Sequence, residues 1–320
     1  MNKILVTGGC GFIGSNFIEY LTHKYPCEII NVDSLDIGGY LENISEWTRK
    51  SGRYTFHRAD ITDADAMKDV FEKHTDIDCV VNFAAHTHVD RSLVVPTNFA
   101  LTNVVGTQIV LNEVIRHDIP RFVQISTDEV YGSTDDDSFK ETYRLHPNNP
   151  YSATKAGAEM LVKAAIHSFG VNAVITRSSN NYGPRQYHEK LVPMIIDRAL
   201  NDQPVTVFND GKAVREWTHV LDNCIAVDTV MRNGKIGGVY NIGSGIEKRN
   251  IDIVKAVLKL LNKPEDLIQY TVDRINDDRR YSLDSTKIRN ELGWSNKIQL
   301  EEGLATTVKW YIEKSVVKNY

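Results

Sequence analysis

An apolar run that drops straight into a glycine-studded turn opens the chain: Ile4-Leu-Val6 is followed by Thr7-Gly-Gly-Cys-Gly-Phe-Ile-Gly14. Between a strand and a helix, glycines at 8, 11 and 14 let the backbone turn tightly, approach a pyrophosphate and seat the helix against the strand. The helix start then offers free N–H groups and the positive end of its dipole to an anion. Few folds accept such a turn, and the rest of the N-terminal half agrees with one of them. Short apolar runs at 3–7, 28–32, 54–58, 79–83 and 121–126 are expected strands, and amphipathic stretches near 12–23, 63–73 and 97–117 are expected helices. A further helix over 151–169 and a strand at 172–176 follow. Strand, helix, strand in repetition predicts the α/β class, a doubly wound Rossmann-type parallel sheet covered on both faces.

The rhythm breaks at Ser178-Ser-Asn-Asn-Tyr-Gly-Pro184, which is dense in turn formers. Shorter helices are expected beyond it, at 190–201, 221–231, 251–261 and 301–314. A chain of 320 residues carries a soft prior of about two domains. The expected division is a nucleotide-binding domain over 1–177 and a smaller mixed α/β substrate domain over 178–320, interleaved with the first.

Composition narrows the function. A net charge of −5 leaves no excess of Lys and Arg for a phosphate backbone, so nucleic acid is not an expected partner. No stretch approaches the roughly 18 apolar residues of a membrane span, and the first residues read as a strand, not a signal peptide. The four cysteines, Cys10, Cys27, Cys79 and Cys224, form no C-x-x-C pair, so buried, reduced thiols of a cytoplasmic protein are expected. His86 and His88 sit two apart with no third ligand at motif spacing, and no metal site is expected.

Asp33 closes the second strand about 20 residues after the glycines, the place of an acid that accepts hydrogen bonds from ribose hydroxyls. It favours NAD over NADP, whose 2′-phosphate it would repel. Asp60 and Ile61 after the third strand suit an adenine, and Asn82-Phe-Ala-Ala85 ends the fourth in small residues that allow close approach.

Tyr151-Ser-Ala-Thr-Lys155 sets a phenol and an ammonium one helical turn apart. A cation beside it favours the phenolate, so Tyr151 is expected to take a hydroxyl proton near neutral pH. Spacing alone proves little, because Tyr20 and Lys24 share it on a helix that is surely structural. What distinguishes the second pair is Ser126-Thr-Asp-Glu-Val-Tyr-Gly132 at the carboxyl end of the fifth strand. In a doubly wound sheet, strand ends line the ligand crevice. Two adjacent carboxyls there suggest an acid and a base with separated pKa values.

Together, Thr7–Gly14, Ser126–Gly132, Tyr151–Lys155 and Ser178–Pro184 resemble the extended short-chain dehydrogenase/reductases, and more narrowly the nucleotide-sugar 4,6-dehydratases of the dTDP-glucose type. The likeness continues through Glu189-Lys-Leu191, Val214-Arg-Glu-Trp217, Tyr240-Asn-Ile-Gly243 and Asp278-Arg-Arg-Tyr281. It implies an enzyme that oxidises C4 of the hexose with retained NAD, eliminates water across C5 and C6, and reduces C6. In this scheme Tyr151, assisted by Lys155 and Thr127, takes the 4-hydroxyl proton. Glu129 removes the C5 proton, and Asp128 protonates the departing 6-hydroxyl.

The resemblance also implies cofactor contacts from Gly8, Gly11, Phe12, Ile13 and Gly14 in the turn, and from Asp33, Asp60 and Ile61 at strand ends. Phe83, Ala84, Ala85, Thr87 and Thr102 follow, with Tyr151, Lys155 and Asn181. For the substrate it implies Thr87, Thr127, Asn180, Lys190 and Leu191. Phe208 would stack on the base, and Arg215, Asn241, Arg274 and Asp277 would hold the nucleotide and its diphosphate. A homodimer through helices near 97–117 and 151–169 is implied as well.

Two stretches depart from the dTDP-glucose pattern. Ala84-Ala-His-Thr-His-Val-Asp90 stands where the family has Ala-Ala-Glu-Ser-His-Val-Asp. Arg274-Ile-Asn-Asp-Asp-Arg-Arg-Tyr281 stands where it has Arg-Pro-Gly-His-Asp-Arg-Arg-Tyr. The second form resembles UDP-glucose 4,6-dehydratases, so UDP-glucose and UDP-N-acetylglucosamine stay open as substrates. A UDP-sugar 4-epimerase is the enzymatic alternative, and Asp128-Glu129 argues against it.

Overall fold

The computed structural model describes residues 1–271 and 279–318, with side chains to 314. Its strands are β1 Lys3–Thr7, β2 Glu28–Asp33, β3 Tyr54–Arg58, β4 Cys79–Asn82, β5 Phe122–Thr127, β6 Ala173–Ser178, β7 Asn180–Tyr182, β8 Val205–Phe208, β9 Val214–His219, β10 Val239–Ile242, β11 Glu247–Arg249 and β12 Ile268–Thr271. Its helices are α1 Phe12–Lys24, α2 Glu46–Arg49, α3 Ala64–Lys73, α4 Val89–Val94, α5 Pro96–Ala100, α6 Thr107–Arg116, α7 Pro150–Phe169, α8 Leu191–Leu200, α9 Val220–Asn233, α10 Asn250–Leu260, α11 Thr286–Leu292 and α12 Leu300–Lys318.

Seven strands form one parallel sheet in the order β10-β6-β5-β4-β1-β2-β3. Helices cover both faces, so its central strands carry no polar alternation: Ile4, Leu5 and Val6 are all fully buried. On one face Phe17, Ile18 and Leu21 of α1 pack with Val227 and Val230 of α9 and Ile288 of α11. On the other, Met67, Val70 and Phe71 of α3 meet Val110 and Val114 of α6 and Val162 of α7. Each such side chain taken from water contributes roughly 2 kcal/mol. A smaller core lies between α8, α10 and α12, around Ile195, Val257 and Leu304. It accompanies a three-stranded sheet, β11-β9-β7, and a two-stranded one, β12-β8.

Every strand expected in the first half forms within two residues of its predicted bounds. The short helices α2, α4 and α11 were not expected, and two further features differ from expectation. Residues 239–242 extend the main sheet as β10, pairing Asn241 with Arg177. The single helix expected over 97–117 is three pieces, α5, a wide π-helical turn at Leu101–Gly106, and α6. Tertiary bonding widens that turn. The Asn103 amide accepts from His86 N (2.8 Å), donates to His86 O (3.0 Å) and donates to Thr154 Oγ1 (2.9 Å). Such a demand from a neighbouring loop outranks helix propensity.

The start and end of α7 fix where its reactive face lies. Asn149 and Ser152 form a reciprocal capping box, Pro150 occupies the first turn, and Gly170 ends the helix in the left-handed region at φ 68°.

Candidate active site

Carboxyl ends of the parallel strands open onto a cavity of about 850 Å³. The glycine turn forms one end. Gly8 has φ +67°, and a Cβ there would lie 2.6 Å from Ala84 N; a Cβ on Gly14 would run into the Gly8 carbonyl oxygen. Gly11 caps α1, so the helix starts facing the cavity. A cradle that any side chain would fill, ahead of a helix N-terminus, fits a pyrophosphate. Asp33 is held at the end of β2 by N–H donors from Cys10 and Leu35, each at 2.8 Å. Phe12, Ile13, Asp60, Ile61, Phe83, Ala84, Ala85, Thr87, Thr102 and Asn181 line the same cavity. Here the polar atoms left without a partner are acceptors: Asn180 Oδ1 and Asn181 Oδ1 are buried and unsatisfied.

The other end carries the carboxyls. Thr127 ends β5 and caps the 3₁₀ turn Asp128–Tyr131, accepting Glu129 N (3.3 Å) and donating to Asp128 Oδ1 (3.1 Å). Asp128 is 2% exposed and its Oδ2 has no partner. Burial first, then the charges of Glu129 and Glu216, push its carboxyl well above the usual range. A carboxyl held up in this way keeps its proton to higher pH than a free one does. Asn149 Nδ2 reaches Glu129 Oε2 at 3.4 Å.

Tyr151 and Lys155 lie on the same face of α7, both lining the cavity. The expectation is that a cation beside Tyr151 favours the phenolate; Lys155 Nζ instead donates to Ile125 O at 2.6 Å. Burial and the charges of Glu129 and Asp128 push the phenol up, with a Thr127 hydrogen bond pulling the other way. Burial lowers Lys155 to about 8, opposed by the charge of Glu159. Burial is the larger influence on both groups, and the neighbouring carboxyls add to it at the phenol and oppose it at the ammonium.

Asn180 and Lys190 also line the cavity. Lys190 precedes α8, and its Nζ donates to Thr87 O at 3.2 Å, across from the opposite wall. Four implied substrate residues fall outside the lining. Leu191 packs into the α8 core, and Phe208 ends β8 40% exposed. Arg215 lies over the Tyr281 ring at 4.7 Å. Asn241 is fully buried, accepting from Tyr131 Oη (2.8 Å) and donating to Phe139 O (2.8 Å). Its place on β10 spends its side chain on the fold. Arg274 and Asp277 lie outside the described residues.

Spacing missed several groups. Glu159, four residues after Lys155, pairs with Arg177 in full burial and accepts from Ser126 Oγ at 2.6 Å, a bond only the juxtaposition of β5, β6 and α7 creates. Glu189 lines the cavity paired with Arg91, and its Oε2 lies 3.5 Å from His88 Nε2. His86 faces Asp36 at 4.0 Å. Gln186 is a further lining residue.

The chain matches the family model described as GDP-mannose 4,6 dehydratase over residues 5–307. The Low-salt glycan biosynthesis protein Agl12 of Haloferax volcanii is 44% identical, covering 97% of this chain and 98% of that protein. A dTDP-glucose 4,6-dehydratase of Actinoplanes is 43% identical, covering 97% of each. The dTDP-glucose 4,6-dehydratase DesIV of Streptomyces venezuelae, solved with NAD bound, superposes with TM-score 0.94 at 38% identity and 98% coverage of each chain. The UDP-glucose 4-epimerase of Thermotoga maritima superposes nearly as well, TM-score 0.91 at 31% identity over 98% of this chain and 99% of that one. The fold is thus common to both reactions, and the Thr127-Asp128-Glu129 turn, not the superposition, speaks to chemistry. By its family match and these relatives, the chain belongs to the extended short-chain dehydrogenase/reductase family of nucleotide-sugar 4,6-dehydratases.

Proposed function

We propose that this protein binds NAD and dehydrates dTDP-glucose, or a closely related nucleoside-diphosphate hexose, to the 4-keto-6-deoxy sugar and water. One observation carries the reading: Asp128 is buried with a free oxygen and a carboxyl held well above its usual range, beside Glu129, in the cavity that Tyr151 lines. An oxidoreductase that only moves hydride needs one base; a dehydratase needs an additional acid to expel water and a second base to remove the proton beside the ketone. The glycine cradle and Asp33 support a dinucleotide at the other end, and bound NAD would take hydride from C4 and later return it to C6.

Each residue then has a task set by its surroundings. Tyr151 Oη receives the 4-hydroxyl proton. Ionising that phenol against burial requires a cation beside it, and Lys155, one turn along, is placed to supply the charge. Thr127 hydrogen-bonds Tyr151 and steadies the hydroxyl being oxidised. The 4-ketone acidifies C5, and Glu129 takes that proton; when hydride returns to C6, a proton, exchangeable with solvent, is given back to C5. Asp128 gives its own proton to the 6-hydroxyl, which leaves as water. Asn180 and Lys190 hold the sugar nucleotide, with residues 178–320 forming most of its binding domain. A homodimer through 97–117 and 151–169 belongs to the same reading, supported by Leu101, Val105 and Met160, exposed at 48, 44 and 46%.

The test is to incubate the purified protein, without added NAD, separately with dTDP-glucose, UDP-glucose and UDP-N-acetylglucosamine. Mass spectrometry then follows loss of one water and solvent deuterium at C5. Loss from dTDP-glucose alone supports the reading in full, and loss from a UDP sugar moves the base. Inversion at C4 without water loss identifies an epimerase instead.

A further inference from the structure

The loop after β7 presents a second amide to the cavity. Gln186 Nε2 donates to Asn181 O at 2.9 Å, and Asn181 Nδ2 donates to Ser179 O at 2.9 Å. Each bond fixes which end of the amide is which, because a flipped amide would set oxygen against oxygen. The free ends are therefore both carbonyls: Gln186 Oε1 and Asn181 Oδ1 are buried, line the cavity and have no partner. A buried acceptor without a donor is costly to keep, which marks both as places for a ligand donor.

The loop that carries Gln186 is fastened on three sides. Asn16 of α1 donates to Pro184 O (2.9 Å) and accepts from Arg185 Nη1 (2.8 Å). Tyr311 of α12 donates to Gln186 O. Tyr187 stacks with Tyr40, ring centroids 6.2 Å apart, above Gly38. These ties hold the two acceptors in place before any ligand arrives, and preorganised groups lose little on binding.

We infer that Gln186 is a cofactor-positioning residue, its side-chain carbonyl acting with that of Asn181 to receive the carboxamide N–H donors of a nicotinamide dinucleotide. A primary carboxamide brings two N–H groups on one nitrogen, which matches two unpartnered acceptors on hydrogen-bonded neighbours lining one cavity. The inference rests on the proposed binding of NAD and adds a residue that the glycine turn and the strand ends do not reveal.

An analogue lacking those donors tests it. In 3-acetylpyridine adenine dinucleotide a methyl group replaces the amide nitrogen, and little else changes. Purified protein is challenged with isotopically labelled NAD or with the analogue, and the bound fraction is read by mass spectrometry after gel filtration. The wild type should prefer NAD by about 10-fold, the order expected when buried acceptors are left unpaired. Gln186→Leu and Gln186→Met should each shrink that preference to about two- or threefold, chiefly by weakening NAD, with thermal melting checking that each variant folds. No preference in the wild type, or a preference that survives in both variants, overturns the inference. Equal loss of both dinucleotides in the variants assigns Gln186 a merely structural part and overturns it too. Failure of the wild type to bind either dinucleotide, with no unlabelled NAD released when it is denatured, overturns the NAD reading beneath it.

Discussion

Two tyrosine–lysine pairs with identical spacing sit on two helices of the same sheet, and their surroundings give them opposite properties. Tyr20 and Lys24 of α1 bond one another, and both converge on Asp228 of α9, at 2.9 and 3.2 Å. Burial pushes the Tyr20 phenol up to about 12. Burial also works against the Lys24 ammonium, but hydrogen bonds with Tyr20, Tyr25 and Asp228 outweigh it and hold it above its ordinary value. That pair is closed on itself. In α7 the lysine is drawn off to a β5 carbonyl, two carboxyls crowd the phenol, and burial takes the ammonium down to about 8. The two ammonium groups are thus shifted in opposite directions, one held up and one brought down.

The sharpest way to break this contrast is to remove both hydroxyls in turn. Tyr151→Phe should lower turnover of the accepted sugar nucleotide by about 10³-fold, within the range for a lost general base, while Tyr20→Phe stays within about twofold. Equal losses would show that spacing, not surroundings, confers function.

Asp128→Asn should cut water elimination by a similar order, yet melt higher. The folded carboxyl titrates above the unfolded one, so the native state keeps a proton that the unfolded chain releases, and stability falls as pH rises above about 4. Asparagine escapes that cost at pH 7 and gains nothing below about pH 4. Removing about 1 kcal/mol corresponds to a rise of roughly 2–4 °C. Calorimetry at both pH values checks the sign, and a lower melting point at pH 7 would contradict the protonated acid.

Lys155 sets a smaller effect on the pH profile. Its ammonium is present below about 8 and lost above, so kcat should decline on the alkaline side near pH 8. In Lys155→Met that limb should vanish from the residual rate, roughly 10²-fold lower. Lys24→Met should leave the limb in place.

The smallest change in turnover is expected at Asp228, which also accepts from Tyr25 Oη (2.8 Å) and Arg232 Nε (2.7 Å). Asp228→Asn should cost about 2 kcal/mol by urea titration, the scale of hydrogen bonds to a charged group, with turnover unchanged.

Sequence legibility followed the same divide. The glycine turn, Asp33 and the parallel strands rest on local rules, since φ +67° at Gly8 and fully buried apolar runs leave a pattern in neighbouring letters. The Asp128-Glu129 turn was visible because both carboxyls are adjacent. Glu159 with Arg177 and the seventh strand of the main sheet at Val239–Ile242 were not, because each depends on segments 18 or more residues apart meeting in space. The direction taken by the Lys155 side chain was illegible for that reason as well. Its acceptor, Ile125 O, is a backbone atom that any residue there would provide.

The wide turn at Leu101–Gly106 leaves a lasting mark on the helix that follows. One surplus residue in a turn rotates everything downstream by about 100° around the axis. Leu101 and Val105 point to solvent just before α6, whereas Val110, Leu111 and Val114 within it face the sheet. Through the turn the buried face, Phe99, Asn103, Gly106, Val110 and Val114, stays continuous, so one rod keeps one stripe to the core while Leu101 and Val105 show another to the outside. Excising a single residue there would spare the composition and the helix, yet turn the downstream stripe toward water.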